Sequence, residues 1–134
     1  MTYQTMGIDT DSLGNSITQI YLTNCKIVEA LAQEYGFKYF FFWQRVISIG
    51  EKPPTREEQK MRSGMDPALI SLFDVVYRNM SLAASEYENL YYIAHVFDEQ
   101  DSQIWIDWIH VTSVGNQLIA QEMLGVIKNK FAQE

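Results

Sequence analysis

Cysteine is nearly absent from this chain. Cys25 is the only one in 134 residues, so no internal disulfide can form, as fits a reducing compartment. With one cysteine and two histidines there is no zinc-ligand pattern. Asp98, Glu99 and Asp101 are grouped but lack calcium-loop spacing and a central glycine. No glycine-rich phosphate loop occurs, which argues against a nucleotide, and no cofactor is expected. No segment approaches the ~20 consecutive apolar residues of a membrane span. The polar start, Met1 to Gly14, lacks the charged-then-apolar layout of a signal peptide, so the default expectation is cytoplasmic. Basic residues are also scarce, 10 against 17 acidic, and the formal charge is -7. An acidic surface without a basic stripe repels phosphate backbones and anionic lipid, so neither nucleic acid nor a membrane surface is an expected partner.

What the chain has is enough apolar material for one core: 47% hydrophobic residues, 13% aromatic and only 20% charged. Residues 1–134 therefore read as a single, partial α/β domain with an irregular lead-in over residues 1–16. Ile17, Ile20, Tyr21, Asn24, Val28, Leu31 and Tyr35 then recur at helical spacing, with Thr18 and Gln19 opposite and Cys25 at the edge. Asn15 or Ser16 can cap that helix, and Gly36 stops it. Phe37–Trp43, dense in aromatics and without alternation, predicts a strand covered on both faces. Ser48 to Pro54 is a loop. Thr55 with Glu58 forms a capping box for a short helix ending near Arg62, and Asp66-Pro67 opens another. The apolar face of that third helix is Leu69, Leu72, Phe73, Val76, Met80 and Ala83. Leu90–Val96 predicts a second buried strand, placing His95 in the core or at a strand end. A final helix begins near Ser113 and buries Ile119, Ala120, Met123, Val126 and Ile127.

Helix, glycine turn and buried strand form half of a parallel α/β unit. Two strands cannot satisfy their own edges or bury both faces of a sheet. Either further residues, such as a missing N-terminal segment, complete the sheet, or another copy does, making a homo-oligomer.

The stretch that carries chemistry is Ile104-Trp105-Ile106-Asp107-Trp108-Ile109-His110-Val111-Thr112-Ser113-Val114-Gly115-Asn116. An aspartate three residues before a histidine, ahead of a helix, lets the carboxylate reach Nδ1. That fixes the tautomer and leaves Nε2 as a general base. The same spacing also suits a surface histidine whose neighbouring aspartate caps a turn. Asp107-Trp108-Ile109-His110 followed by Thr112, Gly115-Asn116 and Ala120 closely resembles the last motif of SGNH (GDSL-type) hydrolases. The order upstream is similar too: a helix ending in Tyr35-Gly36-Phe37, a strand, Trp43-Gln44, then a Thr-x-x-Glu helix start. Arg45 stands where that family has proline, which puts any role for Gln44 in doubt.

The resemblance covers roughly residues 17–131. It implies the later portion of a flavodoxin-like three-layer α/β/α sandwich and hydrolysis of a carboxylic ester, whether small-molecule, lipid or sugar. His110 would be the general base and Asp107 its orienting partner. The family's serine nucleophile and oxyanion-hole residues have no convincing counterpart. Asp11-Ser12-Leu13-Gly14 echoes the serine motif, but Thr10 replaces its glycine and no strand precedes it, so Ser12 reads better as a turn residue and Asn15 as a helix cap. Trp105 and Trp108 flank Asp107, and either could wall a substrate pocket. A non-catalytic interaction domain or a self-associating fragment is the alternative reading.

Overall fold

The computed structural model describes Gly7 and residues 9–132; the start of the lead-in, residues 1–6 and 8, lies outside the described residues. The described chain is mixed α/β, with four helices and two parallel strands in one open sheet. The elements run α1 (Thr10–Tyr35), β1 (Phe41–Trp43), α2 (Arg56–Ser63), α3 (Pro67–Glu86), β2 (Leu90–Tyr92) and α4 (Ser113–Ala132). The chain forms two compact units. The first takes residues up to Phe41 together with Asp66–Tyr91, and the second takes Phe42–Met65 together with the chain from Tyr92 onward.

In the first unit α1 packs on α3. It starts at Thr10, capped by Asp9, whose carboxylate accepts the Asp11 N–H at 3.1 Å. Residues 10–16 are therefore helix, a correction to the irregular lead-in and to the capping roles of Asn15 and Ser16. The buried stripe also differs from the one that hydropathy marks out. It consists of Gly14, Thr18, Leu22, Cys25 and Ala32, while Ile20, Leu31 and Tyr35 are 63%, 45% and 75% exposed. The reason is steric. Small residues let the helices approach so closely that a Cβ on Gly14 would lie 2.6 Å from Val75 Cγ1. Thr18 can be buried because its hydroxyl donates to the Gly14 carbonyl at 2.9 Å. Asn79 Nδ2 donates to Asn15 Oδ1 at 2.9 Å across the pair. Gly36 ends α1 in the left-handed conformation, φ 70°, its N–H reaching the Ala32 carbonyl. α3 is capped by Asp66 and buries Leu72, Val76, Met80 and Ala83, as its periodicity predicts.

Both strands are three residues long where seven are predicted, and all three β1 residues are half-buried. The aromatic run is thus not a strand covered on both faces. Its rings pack locally, Tyr39 on Phe41 with centroids 5.3 Å apart.

In the second unit, α2 opens with the reciprocal Thr55/Glu58 capping box. α4 buries Ile119 but exposes Ala120 and leaves Met123, Val126 and Ile127 half-buried, which corrects the expected face. Its other close contact is Gly115, where a Cβ would meet Val111 Cβ at 2.7 Å and Ile104 Cγ2 at 3.0 Å.

Two glycines test these contacts. Gly14→Ala should destabilise by about 1–3 kcal/mol despite alanine's helix propensity, because the α1–α3 contact has no room for a methyl group. Gly125→Ala in α4, where nothing lies within 4 Å of the new Cβ, should stabilise by about 0.5–1 kcal/mol. Urea unfolding of the two variants reads both signs.

Candidate active site

The loop that carries Asp107 and His110 belongs to the second unit and is closed at its base by backbone pairing. Trp105 and Val111 form an antiparallel bridge. The Ile106 N–H donates to the His110 carbonyl at 2.9 Å, and the Thr112 N–H to the Ile104 carbonyl at 2.7 Å. From the side, the Ile47 N–H donates to the Trp108 carbonyl at 3.0 Å. The residues entering the loop are core: Ile104 is fully buried, and Trp105 meets Phe97 edge-on, centroids 5.5 Å apart. Trp105 is therefore not a pocket wall. Trp108, 38% exposed, remains the tryptophan open to a ligand.

At the tip, Asp107 and His110 are brought together. His110 Nδ1 lies 2.7 Å from Asp107 Oδ2, and both side chains are exposed. Asp107 Oδ1 accepts two backbone N–H groups, those of Ile109 at 2.8 Å and His110 at 2.7 Å. These donors, led by the His110 N–H, then the Ile109 N–H and the His110 ring, hold the Asp107 carboxyl down at about 2. An ionised carboxylate against Nδ1 selects the tautomer protonated there and leaves Nε2 to accept a proton. Among the described residues, Asp107 is the only side chain hydrogen-bonded to His110.

Beneath the loop sits a feature that sequence reading reached only in part. Glu58 has a side chain 1% exposed, yet its carboxylate accepts four N–H groups. Oε1 takes those of Ile104 at 2.8 Å and Trp105 at 3.2 Å, while Oε2 takes Thr55 N–H at 2.9 Å and the Lys52 ammonium at 2.6 Å. Burial alone would push this carboxyl up. The Lys52 ammonium and the three backbone donors outweigh it and hold it below the ordinary carboxylate range. The Thr55-x-x-Glu58 spacing signals the Thr55 bond alone. The Lys52 ammonium lies six positions away, and the bonds to Ile104 and Trp105 span 46 and 47 positions, so no local spacing encodes them.

The remaining candidates are dispersed. Ser12 lies in the first turn of α1, in the other unit, and so is helical and not a turn residue. Asn15 is inside the same helix, engaged by Asn79. Cys25 is buried in the α1 stripe, and burial raises its thiol pKa, the opposite of what a nucleophile needs. Gln44 is exposed just after β1. Arg45 is buried, and its Nη1 lies 2.6 Å from Asp98 Oδ1. Gly50, at φ 84°, lets the backbone pass over the guanidinium, where a Cβ would be 2.6 Å from Cζ. His95 is neither core nor strand end. It lies beyond β2 with its side chain 62% exposed, 3.6 Å from Glu122. A groove of about 530 Å³ runs past His95, Asp98, Glu99, Leu118 and Glu122, and does not include Asp107 or His110. No three His, Cys, Asp or Glu among the described residues could hold a metal ion. Among the described residues no helix is long and apolar enough to cross a membrane.

Comparisons with protein-family models, curated proteins and solved structures find no match to the chain.

Two outcomes follow from the site. In a pH titration monitored by carboxyl ¹³C shifts, Asp107 should show a midpoint near 2, below its ordinary 3.8. Because the folded-state value is depressed, this carboxylate's contribution is complete above the ordinary value and lost as pH falls through about 2. A midpoint at the ordinary value would mean that the two N–H bonds are not kept in solution. Ser12→Ala should leave any ester turnover unchanged, and complete loss would show that α1 carries the nucleophile.

Proposed function

We propose that this chain is the base-bearing part of a serine ester hydrolase of the SGNH type, with the later portion of a flavodoxin-like α/β/α sandwich as its fold. The observation that carries the reading is the contact of 2.7 Å between Asp107 Oδ2 and His110 Nδ1, on a loop that leads directly into α4. In this reading a serine supplied by further residues, or by another copy, attacks the ester carbonyl. His110 Nε2 takes the serine proton as the carbon–oxygen bond forms, and later returns it to the departing alcohol. Asp107 keeps the ring in the required tautomer and stabilises the imidazolium between those steps. Water then cleaves the acyl-serine by the same base. Trp108, exposed beside the pair, would face the acyl or alcohol group.

A second reading, self-association without catalysis, draws on a different observation. Ile20, Ile27, Leu31 and Tyr35 stand exposed along α1 at helical spacing, 63%, 55%, 45% and 75% respectively. Solution mass discriminates, since a monomer would count against self-association.

The hydrolase reading is tested by p-nitrophenyl acetate turnover and by labelling with a fluorophosphonate, which bonds to an activated serine. In the assembled enzyme, His110→Ala should cut turnover roughly 10³-fold and abolish labelling. Turnover retained in that variant would sink the assignment. For this chain alone, labelling lost in the His110→Ala variant would show that a copy of the chain itself carries the serine. Equal, negligible labelling of both would put the serine on other residues.

A further inference from the structure

We infer that Glu58 is the positioning residue for His110: its buried carboxylate fixes the backbone on which the Asp107–His110 pair is built. This rests on reading that pair as the general-base half of an active site.

A carboxylate has two accepting oxygens, and here each serves a different piece of chain. Oε2 is committed to the start of α2 and the loop before it, through Thr55 N–H and the Lys52 ammonium. Oε1 is committed to the base loop, through the N–H groups of Ile104 and Trp105. Those two residues are the incoming arm of the Trp105–Val111 bridge. The outgoing arm, Val111 and Thr112, is held against them by the Thr112 N–H bond to Ile104 and by the close fit of Gly115. The side chains of Asp107 and His110 at the tip are open to water, and the tip backbone is tied from the side by the Ile47 N–H bond to the Trp108 carbonyl. The position of His110 is set by that tie and by the geometry of the arms, and among the described residues Glu58 is the charged side chain bonded to the arms. The capping box alone needs a single oxygen of Glu58. The second oxygen, with the burial it requires, is directed wholly at the loop.

Glutamine has the same shape but only one accepting oxygen, so Glu58→Gln can serve one side and not both. The Lys52 ammonium, 2.6 Å away, draws that oxygen to its own side. The amide NH₂ is then turned against the N–H groups of Ile104 and Trp105, donor facing donor.

The test compares wild type with Glu58→Gln, each first shown to be folded by circular dichroism and by slow amide exchange in α1 and α3. The Asp107 carboxyl should titrate near 2 in the wild type and shift towards 3.8 in the variant, because the Ile109 and His110 N–H groups are no longer held on it. Exchange of those two amides should quicken at least tenfold while α1 and α3 keep their protection. An unchanged Asp107 midpoint in a folded variant would overturn the inference, since a purely structural Glu58 would alter stability and leave that midpoint alone. If Glu58→Gln does not fold, the wild type decides. The amides of Ile104, Trp105, Ile109 and His110 should all be slow to exchange, and unprotected rates at Ile109 and His110 beside slow ones at Ile104 and Trp105 would overturn it. Neither readout depends on ester turnover. Failure of the hydrolase reading, seen as full turnover in His110→Ala, is therefore recognised separately.

Discussion

The second unit is organised around one buried charge, the Glu58 carboxylate. Taking a carboxylate and an ammonium out of water costs several kcal/mol for each ion, and attraction between them repays it only when the remaining hydrogen-bonding capacity is also met. Here it is met. Lys52 donates to Glu58 and to the Pro53 carbonyl, and Glu58 accepts three backbone N–H groups besides the ammonium. Such a pair adds little to stability compared with apolar residues of equal volume, but removing one partner leaves a buried, uncompensated charge at a cost of about 3–5 kcal/mol. Its value is geometric. It joins the start of α2, the loop before it and the arm of the Asp107–His110 loop at one point, each with a defined direction. The pH dependence follows from its depressed pKa. The contribution is fully present above the ordinary carboxylate range and is lost as pH falls through the lower folded-state value.

The two aspartate- and glutamate-centred pairs of this unit that face inward differ in kind from the pair that faces out. Arg45–Asp98 and Lys52–Glu58 each have a cation with a side chain 1% exposed, and both hold loops to the body of the unit. Asp107 and His110 are 53% and 75% exposed at the side chain, so solvent weakens their mutual attraction to a small stabilising effect. An exposed carboxylate would normally titrate at its ordinary value. Asp107 does not, because two backbone N–H groups converge on it from residues two and three positions on. The turn thus contributes to the electrostatics as well as to the shape, and an exposed histidine acquires a fixed tautomer without burial.

How far the sequence made this legible depends on the range of each interaction. Local signals read well. The Thr55/Glu58 box, the Asp66-Pro67 start, the Gly36 stop and the Asp107-to-His110 reach all concern residues within four positions of one another, where spacing dictates geometry. The α1 face read poorly because hydropathy weights large side chains, whereas this helix packs through Leu22 together with the smaller Gly14, Thr18, Cys25 and Ala32. Closeness of approach, not greasiness, decided which side is buried. The strands read too long because aromatic rings can bury area against neighbours in the chain without joining a ladder. Arg45 and Lys52 were invisible as structural residues. A buried cation is recognisable only through its partner, and Asp98 lies 53 positions from Arg45.

The features left unsatisfied belong together. Two parallel strands of three residues form too small a sheet to be stable by themselves. α1 has apolar residues on the side away from its small-residue stripe as well. His110 has an orienting acid and no hydroxyl to act on among the described residues. Each could be met separately, by solvent, by a chance contact, or by the absence of any catalytic role. Under the hydrolase reading, the protein that completes the sheet, whether further residues or another copy, would also be a source for the serine.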